Sequence, residues 1–359
     1  MTLEAARIFF RGGLSNTLQR VRMARLGGLA VVVFLLGGCR EGGFRSGADP
    51  AGAFLPVVQG NSWTGKPLQS RTPTRAEAQA ILDADAALAG APDDPGLLLA
   101  AARAREVAWR YEEAVTLYAR AAELIPTDFE PPLAIGHRLI RLRRLEEGLA
   151  SFELAYRFDP TGFNTSYLRG LTLFLLGRFD QAADVYLGCL QLGDGGDAGS
   201  PPDGPMFRQD PRQCSLLAAD PASRVAMTAW AVRALWRADR DQEANLLLET
   251  LPSELDPTLL RGARPEYESS PIVPGDNGHY WALIRFFRGE LPEAALLDRE
   301  MWGGQWPTVA YGLATWWIRE GRMAEARTLL EEIVADPNWA RLGHVAAEAD
   351  LVRLWGTEP

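Results

Sequence analysis

A pattern that returns every 34 residues constrains the fold of this chain more than any other feature. Pro92, Pro126 and Pro160 are 34 residues apart. Five further columns keep the same step: Tyr111, Leu145 and Phe179; Tyr118, Phe152 and Tyr186; Ala114, Gly148 and Ala182; Ala121, Ala155 and Cys189; and Gly136 with Gly170. A short unit repeated at a fixed period predicts a stack in which each copy buries its apolar side against its neighbours.

The second half of each unit has the spacing of an amphipathic helix. In RYEEAVTLYARAAELIP, from Arg110 to Pro126, the apolar residues at positions 111, 114, 118, 121 and 125 follow steps of three and four. Such residues share one helix face, and the small ones let a neighbouring helix approach closely. The proline then ends the helix, because it lacks an N–H and clashes with the preceding turn. Each unit is therefore predicted to be a pair of helices.

This alternation of large and small columns at 34 residues resembles the tetratricopeptide repeat (TPR) family. The resemblance covers roughly residues 74–355, is strongest in units 95–128, 129–162 and 163–196, and departs from the family in lacking its tryptophan early in the first helix. It implies an all-α protein, an α-solenoid (superhelix) of about six TPR-like helix pairs with irregular inserts. The last helix, from about Arg341 to Leu354, is expected to be a solvated C-terminal cap.

The N-terminus has the pattern of a secretory signal. Arg20, Arg22 and Arg25 precede the apolar run LGGLAVVVFLLGG, which is too short for an ordinary transmembrane helix. The segment Leu36-Gly37-Gly38-Cys39 resembles a bacterial lipobox, which implies lipidation of Cys39 and removal of residues 1–38. A plain secretory signal, or a short anchor with a chance cysteine, is the alternative. Because Arg40 and not aspartate follows Cys39, we expect a lipid anchor in the outer membrane, facing the periplasm.

Composition divides the remaining chain. Residues 39–73 are rich in Gly, Pro and Ser and are predicted to be a flexible tether. Thr74 and Glu77 have capping-box spacing at the start of the first array, 74–196. An irregular insert, 197–224, separates it from a second TPR-like array with its cap, 225–355. A further irregular stretch ends near Asp276.

Charge and motifs exclude several functions. The formal net charge is −9, so a nucleic-acid partner is not expected, because phosphate binding needs clustered basic residues. Lys66 is the only lysine among 37 basic residues. The three histidines are isolated in sequence, and the chain has neither a Cys-x-x-Cys motif nor a glycine-rich phosphate loop. We therefore expect no enzymatic activity, no cofactor and no metal site.

Cys189 and Cys214 allow two interpretations. Cys189 occupies a column of small residues, where a buried thiol would pack like alanine. The two cysteines could instead form a disulfide in an oxidising compartment if the insert folds back.

The family resemblance also implies a binding groove lined by the first helix of each pair. Carried across by register, this groove would contain Arg103, His137, Arg141, Tyr167, Arg233, Trp236, Arg237, His279 and Tyr311. Arginine and aromatic side chains are enriched at binding hot spots, and on an acidic protein they suit an acidic peptide. The alternatives are helix packing for the aromatic residues and a solvated helix face for the arginines.

Two functions follow as hypotheses. The first is a membrane-anchored TPR scaffold lipoprotein that holds another envelope protein, or a peptide segment of one, in the groove. The second is an accessory subunit of an envelope enzyme or export assembly, which docks through its convex face and its inserts.

Overall fold

The computed structural model describes residues 49–195, 213–218, 220–255 and 277–356. The signal segment lies outside the described residues, and so do Leu36, Gly37, Gly38 and Cys39. Most of both irregular stretches lies outside them as well. None of the helices in the described ranges is both long and apolar enough to span a membrane.

The described chain is mostly helical, as expected for an all-α protein. Its first seven helices are α1 Arg75–Gly90, α2 Pro95–Glu106, α3 Tyr111–Leu124, α4 Glu130–Arg141, α5 Leu145–Phe158, α6 Phe163–Leu175 and α7 Phe179–Gly193. Each of these helices packs against the next one in sequence. The predicted capping box at Thr74 is present, since the Thr74 side chain accepts from the Glu77 amide and the Glu77 side chain accepts from the Thr74 amide.

The second half of the chain is also helical. It contains α8 Cys214–Leu217, α9 Pro221–Arg237, α10 Asp241–Glu249, α11 Gly278–Phe287, α12 Glu293–Leu297, α13 Arg299–Trp302, α14 Trp306–Arg319, α15 Met323–Ala335 and α16 Leu342–Trp355. Helix α9 packs on α7 and so continues the series past the insert. It begins with Asp220 as its cap, inside the segment that was expected to be irregular.

The repeated columns correspond to a repeated contact. A Cβ added to Gly136 in α4 would lie 2.7 Å from the ring of Phe152 in α5, and one added to Gly170 in α6 would lie 2.6 Å from the ring of Tyr186 in α7. In these two pairs the aromatic ring of the second helix therefore lies directly on the glycine of the first helix. Both rings are fully buried. This contact explains why a large column and a glycine column recur with the same period.

The turn inside each pair also repeats. Trp109, Arg143 and Gly177 are 34 residues apart and have φ angles of 58°, 63° and 77°. This left-handed conformation favours glycine, yet only the third turn has one. Arg143 is held there by its side chain, whose Nε donates to the Glu348 carboxylate at 2.7 Å and whose Nη2 donates to the Trp339 carbonyl at 3.0 Å.

The prediction of a flexible tether is wrong for residues 49–73. Strands β1 Val58–Asn61 and β2 Pro67–Gln69 form an antiparallel hairpin that is docked on the helices. The Gln59 side chain donates to the Trp109 carbonyl and accepts from the Glu112 amide, which attaches the hairpin to the start of α3. The Trp339 indole donates to the Gln69 carbonyl at 2.9 Å. Leu68 is buried in the same contact.

The C-terminal helix is not a solvated cap either. Residues 343–351 of α16 are all buried. The helix packs on α14 and α15, as a terminal helix should, but it also contacts α4 and α6, which are first helices of the N-terminal pairs. Burial on all sides explains why its sequence, GHVAAEADL, consists mainly of small and apolar residues.

Cys189 and Cys214 are joined in a disulfide, with their Cα atoms 5.2 Å apart. The bond connects α7 to α8, which lies inside the insert, so the insert folds back on the array. Both sulfur-bearing residues are buried, so the cysteine in the small column is at once a packed residue and a covalent link.

Candidate functional site

The side of the array on which the groove was expected carries a network of charged side chains. Glu348 of α16 is paired with Arg143, and both side chains are almost fully buried. Thr64 of the hairpin donates to the other oxygen of the Glu348 carboxylate at 3.3 Å. His344, one turn earlier on α16, has its Nε2 3.8 Å from the same oxygen. Residues from both ends of the chain therefore meet at Glu348.

Asp350 is a second junction on α16. Arg237 of α9 and the hydroxyl of Tyr311 in α14 each donate to its Oδ2 at 2.9 Å. Arg353 donates to its Oδ1 and also to the carbonyl of Leu175 at the end of α6. We refer to Arg143, Arg237, Tyr311, Glu348, Asp350 and Arg353 as the inner-face network.

The electrostatics of this network favour the ionised pairs. Burial alone would raise the pKa of Glu348, but the nearby His344 ring together with the charge and hydrogen bond of Arg143 outweighs it, so the pKa lies below its usual range. Burial lowers the pKa of Arg143, and Glu348 opposes this shift. Burial and the Asp350 carboxylate raise the pKa of Tyr311 far above its usual range. A guanidinium does not lose its proton in proteins, so the arginines stay charged.

Most residues expected to line an open groove are not available to a ligand. His137, Tyr167, Arg233, Trp236, His279 and Tyr311 are buried. Arg237 is paired with Asp350. Arg141 is partly buried over the Tyr111 ring and donates to the His137 carbonyl. Only Arg103, whose side chain is 47% exposed, lies on a free surface, and it is paired with Glu130.

The reason for this correction is that α16 and an aromatic core occupy the space. Trp236 packs edge-on against Phe287 and Trp316, with ring centroids 4.8 and 5.4 Å away. The Tyr167 hydroxyl is 3.0 Å from that of Tyr280. These contacts agree with the packing alternative for the aromatic positions.

Arg233 is the most unusual of these residues. Its side chain is fully buried, its Nε donates to the Ala229 carbonyl, and its two terminal nitrogens have no hydrogen-bond partner. The guanidinium lies 3.8 Å from the centroid of the Trp230 ring and 5.7 Å from that of Tyr311. Cation–π attraction therefore offsets part of the cost of burying this charge.

Sequence reasoning missed Arg143, Glu348 and Asp350. Two acidic residues separated by alanine, in a helix otherwise made of small and apolar residues, are a usable signal, because a buried carboxylate needs a cationic partner. For two of the arginines expected in the groove, Arg103 and Arg237, the acidic partner belongs to the same chain.

In the described part of the chain, no group of three or more His, Cys, Asp or Glu side chains is placed to hold a metal ion. No family model matches the sequence, and a search of curated proteins finds no relative.

Proposed function

We propose that this chain is a lipid-anchored scaffold of the bacterial cell envelope, an α-solenoid of TPR-like helix pairs that binds a partner protein without catalysis. The observation that carries the proposal is the repeated ring-on-glycine contact, Phe152 on Gly136 and Tyr186 on Gly170, at the 34-residue step. An array built this way offers a large surface whose outward positions are not needed for folding.

The partner is proposed to dock on the outer surface and not in the groove. Carboxylates of α16 pair with Arg143, Arg237 and Arg353, so an acidic peptide that replaced these pairs would have to displace a buried helix. Exposed apolar side chains lie elsewhere. Leu216 in α8, inside the insert, and Leu246 in α10 are each 63% exposed. This arrangement favours the accessory-subunit hypothesis over peptide capture.

Photo-crosslinking in living cells tests the docking side. A benzophenone amino acid would be placed at Leu216, at Leu246, or at Arg103, the most exposed of the residues expected in the groove. We expect a discrete crosslinked partner from Leu216 or Leu246 and none from Arg103. If a partner is captured only from Arg103, the partner binds in the groove and the outer docking surface is wrong. If none of the three positions captures a partner, the scaffold proposal is contradicted.

The anchor is tested separately with a Cys39→Ala variant. If Cys39 carries the acyl chains, we expect the wild-type chain to sediment with membranes and the variant to remain in the soluble fraction. An unchanged distribution would contradict lipidation at this residue.

A further inference from the structure

A cavity of about 370 Å³ lies between the β hairpin, the turn at Trp109 and the segment that leads into α16. Its volume is in the range of small-molecule sites. Its walls include Leu68 and the indoles of Trp109 and Trp339, whose ring centroids are 5.4 Å apart in an edge-to-face arrangement. Polar lining comes from Lys66, Arg71, Asp336, His344 and Glu348, among other residues. We refer to this space as the hairpin cavity.

Two of the charges in the hairpin cavity are neutralised by the protein itself. Arg71 is paired with Glu77 at 2.5 Å, and Glu348 is paired with Arg143 at 2.7 Å. Lys66 and Asp336 remain, and neither forms an ion pair within the described ranges. The residues that line the hairpin cavity therefore include one lysine and one aspartate without an ion-pair partner in the described part of the chain.

Both groups keep free hydrogen-bonding capacity. The Lys66 ammonium donates to the Val334 carbonyl at 3.0 Å, which leaves two of its three N–H groups. Asp336 accepts from the Asn338 amide at 2.7 Å with Oδ1, which leaves the other carboxylate oxygen. Lys66 is also the only lysine of the chain.

A buried polar group in the lining supplies a second, independent observation. His344 is 2% exposed, and its Nδ1 has no hydrogen-bond partner. A buried ring nitrogen without a partner is destabilising.

We propose that the hairpin cavity binds a small zwitterion, a free amino acid or a short peptide. Its carboxylate would accept from the Lys66 ammonium, and its amino group would donate to Asp336. The apolar part of the ligand would lie against the indoles of Trp109 and Trp339, since an indole is a large apolar surface. The opposite charges explain why neither a simple anion nor a simple cation would suit this cavity. This proposal is independent of the docking surface proposed above.

The single lysine allows a direct experiment. Growth on lysine labelled with ¹³C at Cε labels a single side chain, Lys66. NMR of the full-length protein in detergent therefore reports on one residue of the hairpin cavity. The probes are a mixture of the twenty common amino acids and, separately, a mixture of dipeptides. We expect at least one mixture to shift the Lys66 signal in a saturable way. Testing smaller subsets of that mixture then identifies the compound that binds.

Chemical variants of that active component test both charges. Its methyl ester lacks the carboxylate and its N-acetyl form lacks the ammonium, and we expect each to bind at least about tenfold more weakly, as for the loss of one charged hydrogen bond. Asp336→Asn should weaken the free compound about tenfold and leave the N-acetyl form unchanged. Asp93→Asn, which changes a carboxylate that is 83% exposed, is the matched control and should have no effect.

Two results would overturn the proposal. One is the absence of a saturable Lys66 shift with both mixtures. The other is equal binding of the free and N-acetyl forms, which would make the cavity a plain anion site.

Discussion

Gly343 shows how closely α16 approaches its neighbours. A Cβ at this position would lie 2.4 Å from the carbonyl oxygen of Pro307 and 2.6 Å from the Cα atom of Thr308. Both are backbone atoms at the start of α14, which cannot move aside as a flexible side chain can. We therefore expect Gly343→Ala to lower the free energy of unfolding by about 1–3 kcal/mol, as in other overpacked cores.

Gly188 provides the matched control. It lies inside α7, and an added Cβ would meet nothing within 4 Å. Here alanine only improves helix propensity, so Gly188→Ala should raise the free energy of unfolding by about 0.5–1 kcal/mol. Urea denaturation measures both changes. Effects of the same sign at the two positions would contradict the close approach of α16 to α14.

His137 predicts a dependence of stability on pH. Burial and the charge of Arg141 hold the pKa of His137 well below its usual range, and Arg138 donates to its Nδ1 at 2.8 Å. As pH falls below about 6.5, the unfolded chain takes up a proton here that the folded chain does not. The free energy of unfolding should then fall, by at most about 1.4 kcal/mol per pH unit for this group.

A His137→Gln variant isolates this contribution, since glutamine stays neutral. Between pH 6.5 and 5, its unfolding free energy should fall less steeply than that of the wild type in urea titrations at each pH. Parallel curves for the two proteins would mean that the ring is protonated in the folded state.

At the scale of single residues, the sequence predicts small columns well and long-range contacts poorly. Gly136 and Gly170 are identified by their spacing, because the ring on each lies only 16 residues further along the chain. Gly343 has no such signal, since its contact depends on how α14 and α16 pack.

The pairing of α16 with the array is tested by a double-mutant cycle. Glu348→Leu leaves the buried guanidinium of Arg143 without its carboxylate, and Arg143→Met leaves the carboxylate without its guanidinium. Each single change should cost about 3–5 kcal/mol, whereas the double variant should cost much less than their sum. Additive losses in denaturant titrations would show that the two groups are not coupled.

The same pair predicts a loss of stability in acid. Because the pKa of Glu348 is lowered in the folded state, its contribution is fully present above about pH 4.3, the value for the unfolded chain. It is lost as pH falls through the lower folded value. The Arg143→Met/Glu348→Leu variant should lose less stability than the wild type over this interval, as measured by thermal unfolding.

The disulfide connects α7 to α8, a short helix inside the insert. The cysteines are 25 residues apart, and closing a loop of this length contributes about 3 kcal/mol in the chain-entropy treatment. A Cys189→Ala/Cys214→Ala variant should lose about that much. A reducing agent should destabilise the wild type similarly and leave the variant unchanged, and a reductant effect on both proteins would point to another cause.

At the scale of elements, the sequence predicts helices better than the hairpin. Helices α3, α5 and α7 have their own periodicity, but β1 and β2 are too short to show alternation. The hairpin is held by Gln59 at the start of α3 and by Trp339, which is 270 residues from its partner Gln69. Residues 49–73 therefore have the composition of a linker but form an ordered segment.

At the scale of the whole molecule, the 34-residue period predicts that neighbouring helices pack together. It does not predict that α16 covers the side on which a groove was expected. The arginines expected to meet an acidic peptide, such as Arg237, meet an acidic helix of the same chain. No short sequence pattern could predict that pairing, because Asp350 is 113 residues from Arg237. The central claim is therefore that α16 is an integral part of the core and closes the inner side.

Native-state hydrogen exchange tests this claim most directly. If α16 is integral, the amides of residues 343–351 should exchange only when the whole protein unfolds, as slowly as those of α6 and with the same dependence on urea. If α16 is a detachable cap, they should exchange orders of magnitude faster than α6 and without that dependence. The second result would contradict the account and reopen the inner side to an external partner.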